Sequence, residues 1–120
     1  MMFRELFWSA AILASFAMRA ECATPSGIDL ARDCRAEGAI EKARCTAFVS
    51  GFISGSQVNF DGNFFNEWRY GESRWCFDES VDDAALVAAF NGYAAANAKE
   101  LHFPATTYFG KAMAATFPCR

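Results

Sequence analysis

The sequence predicts an all-α fold, a small domain of four helices in two helical hairpins, stapled by two disulfides and preceded by a cleaved signal peptide. Three observations predict it. Apolar residues recur at three- and four-residue spacing in four separate segments, which is the mark of helices with one buried stripe. No alternating strand pattern runs beyond a few residues. Four cysteines, Cys34, Cys45, Cys76 and Cys119, remain once a leader is removed, and an even count in a short exported chain implies a disulfide framework.

The last forty-odd residues organise the rest. Ser80 with Asp83 three residues later reads as a capping box that starts a helix near Val81. Leu86, Phe90, Tyr93 and Ala94 form one stripe of it, with Leu101 further on, and it ends near Ala98. Pro104 suits the first turn of a second helix, because its missing N–H lies where no partner is needed. That helix carries Tyr108, Phe109, Ala112, Met113, Thr116 and Phe117, and Pro118 closes it. A connection of about five residues makes the two helices antiparallel, so Cys76 faces Cys119 and Cys34 is left to Cys45. Each bridge contributes about 2–4 kcal/mol by restricting the unfolded chain, more for the longer loop. Ahead of these, residues 28–38 read as a helix with Leu30, Ala31 and Cys34 on one side and Gly38 as its end. Residues 40–57 read as another, with Phe48 and Phe52. Gly51 and Gly55 within it cost roughly 1 kcal/mol each relative to alanine, which points to a close crossing with a second helix.

Residues 1–23 form the leader. Arg4 precedes the uncharged run 6–18, and the small residues Ala20, Cys22 and Ala23 follow, the pattern of a secretory signal peptide. Thirteen residues are too few to cross a bilayer, which takes about 20. Glu21, directly before Cys22, stands where a lipoprotein needs a small residue. Cleavage after Cys22 or Ala23 leaves no odd thiol. The domain is then residues 24–120, expected in the periplasm and off the membrane once cleaved. The net charge is −3, and it stays −3 after Arg4, Arg19, Glu5 and Glu21 are removed. Such a chain has little to neutralise phosphates with, which argues against nucleic acid as a partner.

Composition changes abruptly over residues 59–75. Phe60, Phe64, Phe65, Trp68, Tyr70 and Trp75 interleave there with Asn59, Asp61, Asn63, Asn66, Glu67, Arg69 and Arg74. So long a connection in a small domain is either functional or disordered, and its aromatics argue against disorder. Two compatible readings follow. The rings cover the open end of the helical core around a short helix at 63–68, or they form a partner-binding surface, since aromatic and arginine side chains dominate binding hot spots. Phe60, Phe64, Phe65, Trp68, Arg69 and Tyr70 are the candidates for that surface.

Nothing in residues 24–120 reads as an active site, a metal site or a cofactor site. His102 is the one histidine, so any triad or two-histidine motif depends on it, and its place between two helices suits a ring that ties down a connection. No Cys-x-x-Cys spacing suggests zinc. Asp78, Glu79, Asp82 and Asp83 lie at a helix start, where the macrodipole stabilises carboxylates by roughly 0.3–1 kcal/mol each.

Taken together, Cys34, the run Cys45-Thr-Ala-Phe-Val-Ser-Gly51, Trp75-Cys76 before an amphipathic helix, Glu100-Leu-His-Phe-Pro-Ala105 and Thr116-Phe-Pro-Cys119 resemble the Tai-type immunity family. Its members are exported helical proteins of Gram-negative bacteria that bind and inhibit type VI secretion amidase effectors, enzymes that cut peptidoglycan peptides. The resemblance spans nearly all of residues 24–120. Ala47-Phe48-Val49 and Asp78 depart from the family pattern and keep its apolar character where that matters. The resemblance implies a disulfide-linked, often dimeric protein with no enzymatic activity of its own, which occludes an amidase active site through a protruding surface. The alternative of another class is a small periplasmic stress or chaperone-like protein that shields clients through exposed aromatics; a cysteine hydrolase using His102 is the third.

N-terminal sequencing of the exported protein is expected to find Ala23 or Thr24 first. A chain that begins at Glu21, or a lipid on Cys22, contradicts the leader as read.

Overall fold

The computed structural model describes residues 24–59 and 66–120. The leader expected over residues 1–23, and Phe60, Phe64 and Phe65, lie outside the described residues. The order of elements is α1 (Gly27–Arg35), α2 (Ala39–Ser56), β1 (Gln57–Asn59), β2 (Asn66–Tyr70), β3 (Ser73–Phe77), α3 (Asp83–Ala96), a 3-10 turn (Ala98–Glu100) and α4 (Ala105–Thr116).

The fold is therefore not all-α. Among the described residues, four helices are joined by a three-stranded antiparallel sheet of order β1-β2-β3, and the short helix expected at 63–68 is overturned at its C-terminal end, where Asn66–Tyr70 is a strand. The physical reason is a period-two pattern. Trp68 pairs with Trp75, Asn66 with Phe77 and Tyr70 with Ser73 on one face, while Glu67 pairs with Cys76 and Arg69 with Arg74 on the other. Trp68, Trp75 and Phe77 are buried and Arg69 and Arg74 exposed, so one register satisfies both faces. Gly71 has φ 58° at the first position of a two-residue loop, the backbone that a tight hairpin asks of glycine.

Capping sets the helix starts. Ser26 and Asp29 form a full capping box on α1, with the Ser26 amide donating to Asp29 Oδ2 at 2.9 Å and the Asp29 amide donating to Ser26 Oγ at 3.3 Å. On α3 the cap is Asp82, which accepts from the Ala85 amide at 2.9 Å. Ser80 instead donates its amide and hydroxyl to Asp78, so the helix begins at Asp83 and not near Val81. Gly38 is the cap of α2 rather than the end of α1. The close crossing expected at Gly51 and Gly55 is also overturned: both are exposed, and a Cβ at either meets nothing within 4 Å. The glycine that does sit at a close approach is Gly27, where a Cβ lies 2.8 Å from the Leu101 carbonyl oxygen. There the Gly27 amide donates to Phe103 O at 2.8 Å and the Ile28 amide to Leu101 O at 2.9 Å, stitching α1 to the connection ahead of α4.

The core gathers on α4, which buries Ala105, Tyr108, Phe109, Gly110, Ala112 and Met113. Phe109 meets Phe48 and Phe52 of α2 edge-on at 5.7 and 5.3 Å and Phe90 of α3 at 5.6 Å, arrangements that aromatic pairs favour. Trp75, fully buried, stacks on Phe52 at 6.0 Å and brings the sheet into the same cluster. The disulfides are Cys34–Cys45 and Cys76–Cys119, with Cα–Cα distances of 5.0 and 4.9 Å. Cys76 lies on β3, not at a helix end. It meets Cys119 because β3 runs beside the end of α4, where the Cys76 amide donates to Phe117 O at 2.9 Å.

Replacing Phe109 by alanine is expected to cost about 3–5 kcal/mol in chemical denaturation. Gly51→Ala is expected to stabilise by about 0.5–1 kcal/mol, because the position is open and helical. A destabilising Gly51→Ala contradicts the open face of α2.

Candidate protein-binding surface

The sheet has two unlike faces. Its inner face enters the core, and Trp68 goes with it. That side chain is 4% exposed and stacks on Phe77 at 3.9 Å with the planes 18° apart. The indole N–H groups of Trp68 and Trp75 are buried without a hydrogen-bond partner among the described residues, where these rings contribute through apolar contact. Tyr70 is on the same face at its open end. Its ring rests against Phe52 at 5.1 Å and yet it stays 41% exposed. Behind it the hairpin packs on α4 at Gly110, where a Cβ would make ordinary contacts with Ser73 Cβ at 3.4 Å and Tyr70 Cβ at 3.7 Å.

The outer face is ionic. Glu67 Oε1 accepts from Arg69 Nε at 2.9 Å and from Arg74 Nε. Arg74 first, and then Arg69, hold the Glu67 carboxyl below the ordinary carboxylate range. The carboxylate therefore stays ionised as pH falls and is lost only through that lowered value. Val58 on β1 is 54% exposed, adding an apolar spot to the same sheet.

Of the six residues expected at a binding surface, Phe60, Phe64 and Phe65 are outside the described residues and Trp68 is a core residue. Arg69 and Tyr70 are consecutive at the hairpin end and lie on opposite faces of the sheet. Glu67 and Arg74 fall within the stretch expected at the surface without being singled out, and Val58 was missed. The signal that finds the first two is the alternation through Asn66–Tyr70 and Ser73–Phe77 around Gly71.

Other sequence features resolve into local chemistry. The acidic cluster supplies the Asp82 cap and the Asp78 turn, whose carboxyl is held low by hydrogen bonds from Ser80. His102 Nδ1 lies 3.0 Å from the Lys99 carbonyl oxygen, and the ring meets Phe103 edge-on at 4.6 Å. All four cysteines of residues 24–120 are in disulfides, which leaves His102 no thiol there to activate. Among the described residues no three His, Cys, Asp or Glu side chains are grouped to hold a metal ion.

What remains is a sheet that exposes two arginines and a tyrosine near the hairpin end and a valine on β1, residue types found in protein-binding patches. The family model described as Rap1a immunity proteins matches residues 26–119. Comparison with curated proteins and with solved structures found no match. The matched span takes in α1, both disulfides, the sheet and α4, and the chain belongs to the Rap1a immunity proteins.

Proposed function

We propose that the protein is an exported immunity protein that binds a type VI secretion peptidoglycan amidase and blocks its active site. The observation that carries this reading is the match of residues 26–119 to an immunity family, which implies binding to a secreted effector protein. The amidase as the particular target rests on the resemblance to Tai-type proteins through the Trp75-Cys76, Leu101-His-Phe-Pro-Ala105 and Phe117-Pro-Cys119 elements. A leader directs the protein to the compartment that holds peptidoglycan. Inhibition by occlusion requires no catalytic group of the inhibitor, only a surface whose contacts exceed the entropy lost on association.

The sheet and the β1–β2 connection are the surface we assign to this task, with Arg69, Tyr70 and the phenylalanines Phe60, Phe64 and Phe65. Trp68 supports the surface from inside. The homodimer that the Tai-type resemblance implies belongs to the same proposal and is read by light scattering on the purified domain.

Growth of cells that export the amidase, with and without this protein, tests the reading. Rescue is expected, and is expected to fail when residues 1–23 are deleted. An amidase that stays toxic beside the exported protein contradicts it and directs attention to suppression of client aggregation. At residue level, Tyr70→Ala is expected to weaken effector binding about tenfold or more while the domain stays folded. Trp68→Ala is expected to cost about 3–5 kcal/mol of stability, so binding lost in that variant reports on folding.

A further inference from the structure

Arg69 and Arg74 are direct partners across β2 and β3, and like charges placed so repel. Glu67 answers that repulsion from the same face, two positions along β2. Its Oε1 takes one N–H from each arginine, at Nε in both cases, which holds both guanidinium groups by their inner nitrogens. The Glu67 side chain is 16% exposed, while those of Arg69 and Arg74 are 59% and 52% exposed. One carboxylate against two cations leaves a net positive charge among the three, and both arginine side chains are more than half exposed. The other register partners of Glu67, Asn59 and Cys76, are uncharged. Glu72 in the turn makes the hairpin as a whole neutral on a chain of net charge −3, with its two cations paired on one face. Exposed ion pairs contribute little to stability, so the fold does not account for the arrangement. Two arginines prepositioned by a carboxylate suit a planar anion, since guanidinium groups bind carboxylates through paired N–H donors.

We propose that Arg69 and Arg74 form a clamp for a carboxylate, an Asp or Glu side chain on an acidic patch of the secreted effector. The inference rests on the immunity reading and deepens it by stating the chemistry of the partner surface. Charge complementarity of this kind speeds encounter and fixes the register of docking.

The test is calorimetric titration of the mature protein with the amidase it neutralises, at low and at physiological salt. Wild-type binding is expected to weaken with salt. Arg69→Ala with Arg74→Ala is expected to bind about 30-fold more weakly at low salt, and to lose most of the salt dependence. Its melting temperature is expected to match the wild type; where it does not, Arg69→Gln, which keeps the Glu67–Arg74 pair, carries the test with an expected loss of about fivefold or more. Wild-type binding with variants unchanged to within about twofold overturns the clamp and leaves the immunity reading standing. No binding by the wild type overturns both.

Discussion

The structure depends on the burial of one ring, that of Phe109. It is the point where α2, α3 and α4 meet, through Phe48, Phe52 and Phe90 at 5.3–5.7 Å, and through Phe52 it also carries Trp75 and the sheet. A domain this small buries only about two thirds of the surface of its unfolded chain. Apolar area has to be concentrated, and a cluster of aromatic side chains concentrates it most. The two disulfides act at the rim of that cluster. Cys34–Cys45 closes α1 on α2, and Cys76–Cys119 closes β3 on the end of α4.

The same constraint explains what the hairpin can display. Because Trp68, Trp75 and Phe77 are drawn inward, the alternating residues Glu67, Arg69 and Arg74 are forced outward. The sheet thus turns one set of core contacts into a rigid presentation of charge. Arg69 and Tyr70 sit at the end of a hairpin whose turn is fixed by Gly71, and that hairpin lies against α4 at Gly110. A surface held this way loses little side-chain and loop entropy on binding, which favours affinity.

Much of the helical part was legible in the sequence. The stripes through Leu86, Phe90 and Ala94 and through Tyr108, Phe109, Ala112 and Met113 are buried as their spacing indicates. The pairing of Cys76 with Cys119 follows in the sequence from two helix ends, whereas in the structure it joins a strand to a helix terminus. The sheet was not legible because its strands are five residues or shorter and rich in Asn, Glu and Arg, types that strands disfavour or tolerate. Their alternation is visible only once Gly71 is taken as a turn. Ser80 was misleading because its amide and hydroxyl turn back to Asp78, a local turn that competes with capping for the same groups. Gly51 and Gly55 carry no signal of their surroundings, and exposure rather than packing is what surrounds them. For the binding surface, aromatic composition singled out the correct stretch but could not tell Trp68, which the core takes, from Tyr70, which it leaves half out.

Hydroxyl-radical footprinting of the mature protein, alone and saturated with the amidase, tests the central claim that the hairpin end meets the effector. Tyr70, 41% exposed, is predicted to lose reactivity on binding, while Tyr93 on α3 and Ile40 at the start of α2 keep theirs. Protection of Tyr93 and Ile40 with Tyr70 unchanged would contradict the account and place the interface on the helices.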